Sequence, residues 1–158
     1  MNRKPSFDWP KNLKHKLSIL LAESFPAWYF LFFYKQVGKN YYWTDWLRKS
    51  EDEIDEFVND KNVLLYTLIK DGWPVGFYML DYRKKDICDL SFFGLVDEVI
   101  GIGLGKYLLQ TAILTAWDSR KIKKLTVNTC SLDHKSAIYL YQKYGFRPVK
   151  YKDLEKKV

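Results

Sequence analysis

A single mixed α/β domain is what this sequence predicts, and three observations predict it. Residues 62–95 hold strand-like runs separated by short turns. Residues 104–119 carry one apolar helical face. After them, strand and helix alternate to the end. At 158 residues the chain suits one domain with one core. Residues 1–158 are read as that domain, with residues 1 to about 16 as an extended arm.

The elements follow in order. Leu17 to Leu21 reads as a first strand, and Pro26 opens a helix that Gly38 stops. That helix, "PAWYFLFFYKQV", is apolar almost all round and should be mostly buried. Ser50 and Glu53 have capping-box spacing, and Ile54, Phe57 and Val58 give the next helix an apolar face. "NVLLYTLIK", "PVGFYMLDY" and "DICDLSFFGL" form an antiparallel meander, with Asp71-Gly72 as a hairpin turn and "RKK" as a second turn. Leu104, Leu108, Leu109, Ala112, Ile113 and Ala116 mark a helix ending near Ser119. "KKLTVNTC" is then a strand, "HKSAIYLYQKY" a helix stopped by Gly145, and "FRPVK" a last short strand.

Charge and cysteine usage narrow the class. With 26 Lys and Arg against 19 Asp and Glu, the net charge of +7 favours anionic partners. The basic residues are scattered and match no nucleic-acid-binding pattern, so no nucleic-acid partner is expected. Cys88 and Cys130 stand alone without metal-ligand spacing, so neither zinc nor a disulfide framework is expected. The apolar stretch from Leu17 to Tyr34 is broken by Glu23 and Pro26 and falls short of the ~20 residues of a membrane span. A cytoplasmic protein with no membrane partner is the resulting expectation.

The stretch richest in chemistry is "VIGIGLGKYLLQ", Val99 to Gln110. Gly101, Gly103 and Gly105 sit between a strand and a helix start. Glycine there permits positive φ and brings bare N–H groups against a ligand. The helix N-terminus adds unpaired donors and partial positive charge, which makes an anion site suited to phosphate. The loop is neither GxxxxGK[ST] nor GxGxxG, because Lys106 stands where a third glycine belongs.

In this context the chain resembles the GCN5-related N-acetyltransferase (GNAT) superfamily. The family loop Gln/Arg-x-x-Gly-x-Gly/Ala corresponds to Ile100 through Gly105. The family pattern Asn-x-x-Ala-x-x-x-Tyr-x-x-x-Gly-Phe is matched by "HKSAIYLYQKYGF", with Ala137, Tyr141, Gly145 and Phe146 in register. The "TCSLDH" stretch, Thr129 to His134, is similar to that of a bacterial subgroup. The resemblance spans Val63 to Lys150 and implies an α/β (α+β) fold with a mostly antiparallel central sheet flanked by helices. Its fourth and fifth strands would splay to admit acyl-CoA. Ile100 replaces the family's basic or amide side chain, and His134 replaces its asparagine. Few residues follow Phe146 for the family's last strand. Either the sheet ends early or a partner chain, as in a homodimer, completes it.

The resemblance implies acetyl transfer from acetyl-CoA to a primary amine of a small molecule or peptide. It assigns the cofactor to Phe93, Gly94, Leu95 and Val96 on the fourth strand, to Gly101, Ile102, Gly103, Leu104, Gly105 and Lys106, and to His134, Ala137 and Tyr141. Tyr141 matches the family's acid, which protonates the leaving thiolate. Asp89, on the same strand face as Ile87, Ser91 and Phe93 by alternation, is the base, with His134 as a second candidate. Tyr41, Tyr42, Trp43 and Asp45 would bind the acceptor through aromatic faces and a carboxylate. The alternative is a catalytically degenerate CoA-binding or protein-interaction module of the same fold.

Overall fold

The structure, a computed structural model, describes residues 1–11 and 14–150. Residues 12–13 of the expected arm and 151–158 of the expected domain lie outside the described residues. Five strands, β1 (Leu17–Ala22), β2 (Val63–Lys70), β3 (Trp73–Asp81), β4 (Ile87–Leu95) and β5 (Lys124–Val127), form one sheet in sequence order. Every neighbouring pair is antiparallel except β4 and β5, which run parallel. Helices α1 (Ala27–Gly38) and α2 (Glu51–Val58) cover one face, and α3 (Leu104–Ser119) and α4 (Ala137–Lys143) the other.

Local chemistry explains the boundaries. Pro26 sits at the N-cap of α1 in an extended conformation, so its missing N–H costs no helical hydrogen bond. The Ser50 side chain accepts from the Glu53 N–H while the Glu53 carboxylate accepts from the Ser50 N–H, closing the expected capping box of α2. Asp71 and Gly72 both have positive φ, +51° and +89°, as a two-residue hairpin matched to strand twist requires.

Each sheet face buries its own apolar cluster. On the first, Phe30 and Phe33 of α1 meet Phe77 of β3 and Ile54 and Phe57 of α2. On the second, Leu108, Leu109, Ala112 and Ile113 of α3 meet Tyr78, Leu80, Cys88 and Leu90. Burial pushes the Cys88 thiol up to about 12, which leaves it protonated and inert near neutrality.

Two C-terminal expectations are corrected. β5 stops at Val127 instead of reaching Cys130, because the chain turns there and the Cys130 N–H donates to the Asp133 carboxylate. Residues 146–150 form no strand, although Phe146 packs in the core. The outer edge of β5 is met instead by the N-terminal arm. The Met1 amino group donates to the Leu125 carbonyl at 2.9 Å, and the Leu125 N–H donates back to the Met1 carbonyl at 2.8 Å.

Buried phenols give the fold an alkaline limit. Desolvation raises the pKa of Tyr78, Tyr82 and Tyr141 above the ordinary value of about 10. A group whose folded pKa is raised stabilises fully below its unfolded pKa and loses that contribution as pH climbs toward the folded value. The melting temperature is therefore expected to show no tyrosine-linked fall below about pH 10 and to drop above it. Thermal melts in which Tyr→Phe changes at these positions leave the alkaline slope unaltered would contradict this.

Candidate active site

The parallel pairing of β4 with β5 covers only Ile87 to Leu90 against Lys124 to Val127. Beyond that point β5 ends and its chain leaves the side of β4, and a cavity of about 340 Å³ opens in the gap. Ser91 to Leu95 of β4 form one wall, Val127 and Asn128 the opposite one, and the start of α3 the floor. The expected opening beside β4 is present. A larger groove of about 1160 Å³ runs between residues 1–7, β5 and residues 143–149, but it holds none of the site residues expected from the sequence.

Gly94 lets α1 press onto this wall. A Cβ there would stand 2.2 Å from Cγ1 of Val37, so only hydrogen fits. Val37 also lines the cavity, together with Tyr41 and Trp43 from the segment after α1.

Gly103 answers the question its loop raises. It is the N-cap of α3 with φ +90° and offers no side-chain cap to the helix. The first N–H groups of a sixteen-residue helix are thus left for a ligand. A Cβ built on Gly101 or Gly103 would meet nothing within 4 Å, so open space lies over the loop. Gly101, Gly105 and Lys106 line the cavity. Lys106 adds a basic residue to this lining, which Ile100 also borders. Asp97 beside the loop is neutralised by Lys39 at 3.2 Å and accepts from Asn40 at 2.8 Å.

Tyr141 lines the cavity from α4 and is 7% exposed. Burial first, and the nearby Asp133 charge second, hold its pKa above that of a free phenol. The ring stands edge-on to Phe93 and Phe146, which fixes its direction.

His134 also lines the cavity. Its Nδ1 accepts from the Ser136 N–H at 3.2 Å, so the neutral ring carries its proton on Nε2. Nδ1 is thereby engaged as an acceptor, and Nε2 remains as a donor. The position of α4 follows from the same turn, since the Ala137 N–H donates to the His134 carbonyl.

Several expected residues stand elsewhere. Val96 is buried and its N–H donates to the Val75 carbonyl, so it belongs to the core. The Leu104 side chain is likewise in the core, and Ile102 and Gly103 are exposed beside the cavity mouth. Of the aromatic segment, Tyr41 and Trp43 reach the cavity, whereas Tyr42 and Asp45 are exposed and do not line it. Asp89 does not share a face with Phe93. Met79 pairs with Phe92 and Leu80 with Leu90, so Ser91 is an extra residue that shifts the alternation. Asp89 stands one hydrogen bond behind the cavity: its Oδ2 accepts from the Ser91 hydroxyl at 3.0 Å, and Thr126 donates to its Oδ1 at 2.5 Å.

Among the cavity residues not expected from the sequence, Asp133 carries a charge. Asp133 accepts from Trp43 Nε1 at 3.3 Å, from the Thr129 hydroxyl at 3.0 Å and from the Cys130 N–H at 2.9 Å. The contact with Trp43 joins positions 90 residues apart, which no local spacing reveals.

Comparison with known proteins agrees with this geometry. Solved structures with the same fold include an aminoglycoside acetyltransferase from an uncultured soil metagenomic sample, at 12% identity, with a TM-score of 0.67 and coverage of 90% of this chain and 96% of that one. A ribosomal-protein-alanine N-acetyltransferase from Brucella melitensis biovar Abortus 2308 aligns at 14% identity, with a TM-score of 0.66 and coverage of 90% and 100%. A GNAT family acetyltransferase from Elizabethkingia anophelis, solved with acetyl-CoA bound, aligns at 23% identity, with a TM-score of 0.63 and coverage of 85% and 78%. At these identities the likeness concerns the fold. Compared with curated proteins, the chain finds no match. The model of the acetyltransferase (GNAT) family matches residues 22–146, and the chain belongs to that family.

Proposed function

We propose that the protein transfers an acetyl group from acetyl-CoA to a primary amine. The observation that carries this reading is the convergence of an uncapped α3 N-terminus and a buried phenol on one cavity, opened beside β4 where β5 ends. The residues fit acetyl-CoA. The N–H groups from Gly101 to Lys106 and the Lys106 ammonium would hold its pyrophosphate. The edge of β4 from Phe93 to Leu95 would guide its arm, and His134 and Ala137 would border it. Bound there, acetyl-CoA supplies an acetyl group activated as a thioester.

The chain's own groups manage two protons. Tyr141 donates its phenolic proton to the sulfur as the C–S bond breaks, and it regains one from solvent. Asp89 takes the proton that the amine loses as the C–N bond forms, relayed through the Ser91 hydroxyl on the cavity wall. Asp133 with Tyr41 and Trp43 draws the cationic form of the amine into the cavity. Asp133→Asn keeps an acceptor for Trp43 but removes the charge. It is expected to raise the amine KM about tenfold with little change in acetyl-CoA affinity. Equal loss for both ligands would assign Asp133 to the cofactor instead.

Release of free thiol from acetyl-CoA in the presence of a panel of amines tests the reaction. Amine-dependent release is expected. Tight acetyl-CoA binding without release for any amine favours the degenerate module, for which Ile100 and His134 speak. Free thiols at Cys88 and Cys130 suit a reducing compartment, and no helix among the described residues is long and apolar enough to cross a membrane.

A further inference from the structure

The cavity has two sides of different character. Phe93 belongs to the cluster beneath α3 and α4, and its ring stands edge-on to Tyr141 with centroids 6.1 Å apart. That side carries the groups assigned above to the cofactor. Phe92, one residue earlier on β4, belongs to the cluster beneath α1 and α2. Its ring centroid lies 5.8 Å from that of Trp43. Val37 at the end of α1 and Tyr41 just after it also line the cavity.

A single carboxylate serves this aromatic side. Among the described residues, Asp133 is the one acidic residue in the cavity lining. Asp89 stands behind Ser91, and Asp97 is neutralised by Lys39. Asp133 itself enters no ion pair among the described residues. Its Oδ2 accepts two hydrogen bonds, from Thr129 and Cys130, and its Oδ1 accepts one, from Trp43 Nε1. A carboxylate offers about four acceptor positions, so about one remains, on the oxygen that Trp43 already touches. An ammonium bound there stands beside the indole.

We propose, on the reading that the protein transfers acetyl groups to amines, that the acceptor is a small amine with one positive charge and a flat aromatic body. A second ammonium would find no second carboxylate. Beyond Asp133, the charged side chain of the lining is Lys106. An ammonium stripped of water without a partner is costly, and the chain's net charge of +7 adds general repulsion. Polycationic amines are therefore disfavoured. An aromatic body can instead pack against the rings of Trp43, Phe92 and Tyr41. The cavity of about 340 Å³ lies near the lower end of ligand pockets, about 300–1,000 Å³, and must also admit the acetyl-bearing arm, which keeps the acceptor small.

Initial rates of thiol release from acetyl-CoA with 2-phenylethylamine, hexylamine and spermidine test the class. For 2-phenylethylamine, kcat/KM should exceed that of hexylamine about tenfold and that of spermidine about a hundredfold. Trp43→Leu should bring the preference over hexylamine down to about twofold or less. Trp43 also packs on Gly38, so Tyr41→Leu is a second variant and should lower the same ratio. Each ratio compares two substrates on one preparation, so partial loss of folded protein does not move it. Spermidine turned over as well as 2-phenylethylamine overturns the single charge, and hexylamine turned over as well overturns the aromatic body. Calorimetric titration of the same amines into the protein saturated with CoA separates this proposal from the transferase reading. If no amine releases thiol, binding of 2-phenylethylamine about tenfold tighter than hexylamine supports the pocket and removes the transfer reaction. Equal binding of the two, or none, overturns the proposal.

Discussion

Replacing Gly103 with valine is expected to lower acetyl-CoA affinity by about a hundredfold or more while the chain stays folded. Gly103 holds φ +90° at the N-cap of α3, a conformation that a β-branched residue avoids at a cost of about 1–3 kcal/mol. Its Cβ would meet no protein atom within 4 Å, so the core is not disturbed. The damage falls on the loop that presents the free N–H groups. Gly105→Ala is the matched control. Its Cβ would lie 3.8 Å from Cδ1 of Leu95, an ordinary contact, and its φ is not in the left-handed range. That variant should bind within a few-fold of the parent. Calorimetry and thermal melts on the pair separate the two outcomes. Equal affinity for Gly103→Val would remove the loop from the phosphate site.

Tyr141→Phe is expected to lower kcat by about a hundredfold and to leave the KM for acetyl-CoA nearly unchanged. The ring contacts with Phe93 and Phe146 survive the change, so packing is kept and only the donor is lost. The pH profile adds an independent check. A general acid works while protonated, so a raised pKa extends its working range upward. Loss of kcat from Tyr141 ionisation should therefore begin only above about pH 10, the value for a free phenol. An unchanged kcat in Tyr141→Phe would take Tyr141 out of the mechanism.

Much of the fold was legible because local signals agreed. The capping box at Ser50, the Asp71-Gly72 hairpin and the helical face from Leu104 all act within a few residues. The glycine loop was legible for the same reason: N-cap geometry, positive φ and unpaired donors are local consequences of Gly101 and Gly103. Features set by distant contacts were not. The extra residue at Ser91 depends on pairing with β3 and moves Phe93 to the face opposite the one that alternation from Asp89 assigns. Val96 reads as the end of a ligand-facing strand until its N–H is seen to donate to Val75. Asp133 has no distinctive spacing, and its place on the cavity wall comes from a turn closed by Thr129 and Cys130 and a long-range bond from Trp43. At the C-terminus "FRPVK" carries strand propensity, but the edge it would have joined is taken by Met1.

The central claim is that the cavity between β4 and β5 is built for acetyl-CoA, and calorimetric titration of the pure protein tests it most directly. Titration with acetyl-CoA and then with CoA should give saturable one-site binding in the micromolar range, weakened by Gly103→Val and insensitive to Tyr141→Phe. Absence of binding of either ligand at low salt would contradict the account, and would mean that Ile100 and His134 mark a site that no longer holds the cofactor.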